Sequence, residues 1–263
     1  MKRLVAFDLD GTLAESKQSI APDMAAALAK LLQVADVAVI SGAGWPQYER
    51  QIVEKLEPGA RLGGLWLMPT TGTKLYRFDD GWHQIYADNF SDADKAKIRA
   101  AFDQALADTS TALPTTQIWG ERLEDRGSQF TFSALGQQAP LEAKEKWDPD
   151  RTKRAALQAQ LQHLLPDLSI RLGGTTSIDV TRPGTDKAHA LRRLSQESHI
   201  PIHEMIFIGD ALYAGGNDAP AKGTGIDTIQ VRDPAETLTA IAAIVACLTT
   251  IRAHQAQVPR PIQ

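Results

Sequence analysis

Short apolar runs that stop at a charge, a glycine or a proline punctuate this chain. Leu4 to Phe7 stops at Asp8, Val37 to Ile40 at Ser41-Gly42, Leu65 to Met68 at Pro69, and Met205 to Ile208 at Gly209-Asp210. Runs this short, without polar alternation, predict strands buried on both faces of a parallel sheet. Residues 22–32, 45–56 and 187 to about 196 lie between them with helical texture, Pro22 suiting a first turn. Strands alternating with helices predict an α/β core. Residues 226–231 add a strand. Asp233, Pro234 and Glu236 open a last helix through Leu248, and the polar, proline-bearing tail from Arg252 is expected to fray.

The middle of the chain reads differently. Residues 75–86 predict a hairpin turning at Asp80-Gly81. Residues 91–107 predict a helix capped by Ser91 with Asp94, in which Ile98, Phe102 and Leu106 share one face. Phe130 and Phe132 alternate with Thr131 and Ser133, as in a strand with one polar face. A helix at 150–165 and a hairpin around Gly173-Gly174 follow. The expected organisation is a Rossmann-like parallel-sheet core from residues 1–84 and 181–263, with an α+β domain inserted at 85–180.

Composition narrows the class. The chain has 263 residues, 43% hydrophobic, so it can bury a sizeable core. A net charge of −4 gives no basic surplus for nucleic acid or a membrane surface. The N-terminal apolar run is too short for a signal or spanning segment, so a soluble, cytoplasmic protein is expected. The single cysteine, Cys247, forms no internal disulfide and is expected to be a buried helix residue. The six histidines show no metal-ligand spacing, which leaves oxygen ligands for any metal.

Candidate chemistry sits where strands end. Asp8 and Asp10 follow the first strand at i, i+2. One can attack phosphorus and bind a cation, the other act as acid and then base, with Gly11 allowing the sharp turn after them. Ser41 and Gly42 offer a hydroxyl and backbone N–H groups to a phosphoryl oxygen. Lys187, after Pro183-Gly184-Thr185-Asp186, can neutralise the attacking carboxylate and the phosphoryl group. Asp210 can join Asp8 in an oxygen-rich Mg²⁺ site, with Gly215-Gly216-Asn217-Asp218 just beyond.

This order, Asp-x-Asp, Ser, Lys, Gly-Asp, resembles the motif set of the haloacid dehalogenase superfamily. Gly173 to Val180, Gly184 to Lys187 and the spacing from Gly209-Asp210 to Gly215–Asp218 resemble its α-phosphomannomutase family, over most of the chain. The resemblance implies Asp8 as nucleophile and Asp10 as acid/base. It implies Mg²⁺ on Asp8, the Asp10 carbonyl and Asp210, with Asn217 and Asp218 in support. Ser177 and Asp179 would hold sugar hydroxyls from the inserted cap domain, through which a homodimer would form.

The chain also departs from that family. Arg126 matches the first arginine of its distal-phosphate clamp, but Gln137 and Lys144 stand where two more are expected. Lys17 replaces an arginine just after the Asp-x-Asp loop. Neither Lys nor Gln reproduces the bidentate fork of arginine on phosphate. On these grounds the sequence favours a phosphatase of hexose phosphates working through an aspartyl-phosphate. A phosphohexomutase is the alternative, and a non-catalytic sugar-phosphate binding protein a distant third, since Asp8 and Asp10 are both present.

Overall fold

A computed structural model of the chain describes residues 1–257 other than 58, 109–112 and 114–116. They form two compact units, one from Met1–Tyr86 with Asp186–Gln263, the other from Ala87–Thr185.

The first unit is built on β1 (Leu4–Phe7), β2 (Asp36–Ile40), β3 (Leu65–Met68), β4 (Lys74–Phe78), β5 (Trp82–Ala87), β10 (Met205–Gly209) and β11 (Asp227–Gln230). Their order in the sheet is β11-β10-β1-β2-β3-β4-β5. β1 lies parallel between β10 and β2, Leu4 facing Met205 on one side and Asp36 on the other. β3 continues the parallel set, and β4 returns antiparallel to it. The hairpin predicted at Asp80-Gly81 therefore forms an antiparallel extension of this sheet.

Alternate residues of β1 serve two cores, as burial on both faces requires. Val5 and Phe7 pack with Leu28, Leu31 and Leu32 of α1 (Pro22–Val34) and Ile241 and Leu248 of α7 (Pro234–Gln257). Leu4 and Ala6 pack with Ala190, Leu191 and Leu194 of α6 (Lys187–Ser198). Each such valine, leucine, isoleucine or phenylalanine contributes about 1.5–3 kcal/mol by leaving water.

The helix α2 (Trp45–Gln51) stops short of the expected 56 and tightens to a 3-10 turn at Val53–Lys55, where β-branched Ile52 and Val53 fall together. The helix α7 continues past Arg252, where fraying was expected. Its segment Pro234–Ile251 is long and apolar enough to cross a membrane by length and composition, but it packs on α1 along Ile241 and Leu248. Cys247 is off that stripe and exposed, against the expectation of a buried thiol.

The second unit has a four-stranded antiparallel sheet, β6-β7-β9-β8, from β6 (Leu123–Asp125), β7 (Phe130–Ser133), β8 (Ser169–Gly173) and β9 (Ser177–Thr181). Phe130, Phe132, Ile170, Ile178 and Val180 pack against Ile98 and Phe102 of α3 (Asp92–Ala107) and Leu157 and Leu161 of α5 (Thr152–Leu164). The Ser91–Asp94 capping box forms as predicted. A further helix, α4 (Leu141–Trp147), and β6 had no counterpart in the sequence reading.

Candidate active site

The carboxyl ends of β1, β2 and β10 bring acids and one lysine together. Asp8 follows Phe7 directly, and its N–H donates to the Ile208 carbonyl at 3.0 Å, which carries the β1–β10 pairing one residue past the strand. Lys187, the first residue of α6, is 2% exposed. Its ammonium donates to the Asp8 carboxylate and to the Ile40 carbonyl at the end of β2, and lies 3.4 Å from Asp218 Oδ1. Asp186 places that lysine by capping α6, its carboxylate accepting from the His189 N–H at 2.9 Å.

Carboxylate oxygens of Asp8, Asp210 and Asp218 lie within 4.8 Å of one another. Three acids so close repel each other, and burial adds to the cost. Burial, foremost, pushes the Asp8 carboxyl up to about 7 against the opposing pull of Lys187, with Asp218 and Asp210 adding to the rise. Burial and then Asp218 also raise Asp210. Burial pulls Lys187 down, but Asp8 and Asp218 outweigh it, so its ammonium is held more firmly charged.

The donor set fits a hard divalent cation. It is all oxygen, it carries excess negative charge, and buried Asp218 Oδ1 accepts no hydrogen bond. Mg²⁺ would be held by Asp8 and Asp210 with Asp218 beside them, and would neutralise phosphoryl oxygens as charge develops. Asn217, expected to support the metal, is exposed and makes no hydrogen bond to these acids.

The rest of the loop after β1 orients Asp10. The Lys17 N–H donates to Asp10 Oδ1 at 2.7 Å, with Lys17 itself in left-handed backbone and its side chain exposed. Gly11 has φ +83°, and a Cβ there would fall 2.8 Å from Asp210 Oδ2, so only glycine fits. Thr12, not singled out in the sequence, accepts from the Asp210 N–H at 3.0 Å and lies 3.3 Å from Asp210 Oδ1. Its position two residues after Asp10 was the available signal.

Ser41 is buried at the end of β2, its Oγ accepting from the Ala43 N–H at 3.2 Å across Gly42. Beneath it Tyr48 places its hydroxyl 3.2 and 3.1 Å from the Val39 and Met68 carbonyls, tying the ends of β2 and β3 together. Nothing in the hydropathy pattern marks Tyr48 for that role.

The remaining candidates lie in the second unit. Asp179 and Ser177 are half-buried on β9, on the sheet face opposite the phenylalanine core. Asp179 Oδ1 accepts from Thr131 Oγ1 at 2.7 Å and Gln129 Nε2 at 2.9 Å. Arg126 pairs with Glu124 at 2.7 Å. The Gln137 side chain donates to the Thr131 carbonyl at 3.3 Å. Lys144 is only 5% exposed, and its ammonium donates to the Gln137 carbonyl at 3.1 Å.

The first unit thus offers a buried carboxylate for attack on phosphorus, a second for proton transfer, and a lysine that offsets charge. A model of the eukaryotic phosphomannomutase family matches residues 66–246, more than half of the chain. A phosphomannomutase of Schizosaccharomyces pombe is 27% identical over 226 residues, covering 82% of this chain and 84% of its own. In solved structures, a Plasmodium falciparum IMP-nucleotidase with IMP bound shares the fold with a TM-score of 0.64 at 14% identity, covering 93% of this chain and 68% of its own. A trehalose-6-phosphate phosphatase related protein shares it at 0.57, also at 14% identity, covering 94% and 99%. The chain belongs to the eukaryotic phosphomannomutase family of the haloacid dehalogenase superfamily, and is an enzyme of phosphoryl transfer.

Proposed function

We propose that this enzyme moves a phosphoryl group on a hexose phosphate, as a phosphohexomutase. The observation that carries the reading is the extent of the family match. It runs through the whole of the second unit, with Ser177 and Asp179, and on through Lys187, Asp210 and Asp218. Relatives that match across both units are named phosphomannomutases.

In this reading Asp8 attacks phosphorus while Lys187 and Ser41 offset charge on the phosphoryl oxygens. Asp10 gives its proton to the leaving sugar oxygen. Asp10 then takes a proton from a different hydroxyl, on the hexose monophosphate left behind, which recaptures the phosphoryl group from Asp8, so that a hexose bisphosphate turns over between the two half-reactions. The first unit supplies the chemistry, and the polar face of the second unit's sheet recognises the sugar.

A phosphatase is the second reading, and a specific observation favours it. Arg126, Gln137 and Lys144 all spend polar contacts inside their own unit, which weakens a clamp on a second phosphate. Phosphorus NMR of mannose 1-phosphate with catalytic mannose 1,6-bisphosphate and Mg²⁺ separates the two. The mutase gives mainly the 6-phosphate. Mainly inorganic phosphate overturns the mutase in favour of the phosphatase.

A further inference from the structure

The polar face of the second unit's sheet carries one row that crosses all four strands. Glu124 on β6 faces Thr131 on β7, Thr131 faces Asp179 on β9, and Asp179 faces Arg171 on β8. Strand alternation puts these four on one side, because Leu123, Phe130, Phe132, Ile178, Val180, Ile170 and Leu172 pack on the helix side.

Arg171 stands opposite an acid and does not pair with it. It is exposed on an edge strand and makes no ion pair or side-chain hydrogen bond with any described residue. The reason lies in how Asp179 is held. Thr131 and Gln129, both buried, grip Oδ1. Oδ2 lies over Gly173, where a Cβ would come within 2.6 Å of it. Asp179 is thereby held by Thr131 and Gln129, and the guanidinium across from it has five donors to offer. Arg126, whose guanidinium also belongs to this unit, is paired with Glu124.

We propose that Arg171 binds the second phosphate of a hexose bisphosphate, in the role for which Gln137 and Lys144 are unsuited. An unpaired guanidinium next to a carboxylate fixed for hydroxyl groups suits a ligand with hydroxyls and a phosphate a few bonds apart. The planar fork takes two phosphoryl oxygens at once, which a buried lysine and a carboxamide cannot do. The assignment rests on the hexose-phosphate reading, with Asp179 on the sugar.

The test is calorimetric binding in the Asp8→Asn protein with Mg²⁺, which removes turnover, using mannose 1,6-bisphosphate and mannose 1-phosphate as probes. Arg171→Ala is expected to weaken the bisphosphate about tenfold or more, since a bond to a charged group is lost. It should shift the monophosphate much less, and Arg171→Lys should fall between. Thermal melting equal to the parent's checks that the variant is folded. Equal effects on both probes, or no effect on either while Asp179→Ala weakens both, overturn the role of Arg171 and leave the substrate reading standing. No effect from Asp179→Ala, or no binding of either sugar by the parent, overturns both.

Discussion

The ammonium of Lys187 donates to the carboxylate of Asp8, so the candidate nucleophile and its counter-charge form one buried pair. The pair is tied to the sheet through the Ile40 carbonyl. Asp8→Asn preserves the shape and removes the attacking oxygen. It is expected to cut turnover by more than about a hundredfold, a barrier increase of about 2.7 kcal/mol, with melting temperature unchanged or higher. Phosphate release and acid-trapped radiolabel on the protein are the measurements. Labelled protein from the variant would place the covalent step elsewhere.

Mg²⁺ held by these acids would compete with their protonation. Burial and neighbouring acids hold the Asp8 proton up to about 7, against 3.8 ordinarily. A carboxyl raised in the folded state favours folding fully below 3.8, and that contribution is lost as pH climbs through about 7. Metal-free protein is expected to melt lower at about pH 8 than at about pH 6, with Mg²⁺ raising the melting point more at the higher pH. Fluorimetric melting with and without EDTA reads both. A metal effect that shrinks as pH rises would contradict the sign.

Thr12 orients Asp210 from behind through its hydroxyl. Thr12→Val keeps the volume and removes the hydroxyl. The Mg²⁺ concentration for half-maximal activity is expected to rise about tenfold, as for other residues that orient a metal ligand. Thr12→Ser should restore it. An unchanged Mg²⁺ requirement would reduce Thr12 to packing.

In the second unit, Arg154 Nε donates to Asp148 at 2.8 Å with both side chains buried, and Arg154 Nη1 donates to the Gly173 and Gly174 carbonyls at 2.7 Å. Asp148→Ala leaves that guanidinium charged and unpaired. The expected cost is about 3–5 kcal/mol, read by urea unfolding. The double variant with Arg154→Met should recover most of it. A cost below about 1 kcal/mol, the scale of an exposed pair, would mean that water reaches the site.

Strand ends were legible because a buried parallel strand is an uninterrupted apolar run, and Asp8, Ser41 and Asp210 come straight after such runs. The burial of Lys144 was not, because a lysine in a stretch rich in charge gives no hydropathy signal of burial, and only tertiary packing encloses it. Cys247 failed the other way. An apolar run in a helix reads as core, but α7 buries one stripe of it. Arg171 gave no signal, since an isolated cation gains meaning only from the register that puts Asp179 across from it. The three-residue β6 is too short for a period, and exists through its pairing with β7.

The place of β1 between β2 and β10 has a consequence for synthesis on the ribosome. One neighbour follows within the same stretch of chain, but Met205, the partner of Leu4 on the other side, is made only after all of the second unit. The inserted unit draws every strand of its sheet from consecutive chain, so it can close its core while the first unit still waits. Through that interval one side of β1 is an unpaired edge of apolar residues, the kind of template that recruits other chains. Asp210 and Asp218 arrive with the strand that seals this edge. The nascent enzyme therefore completes its candidate metal site together with its protection from aggregation.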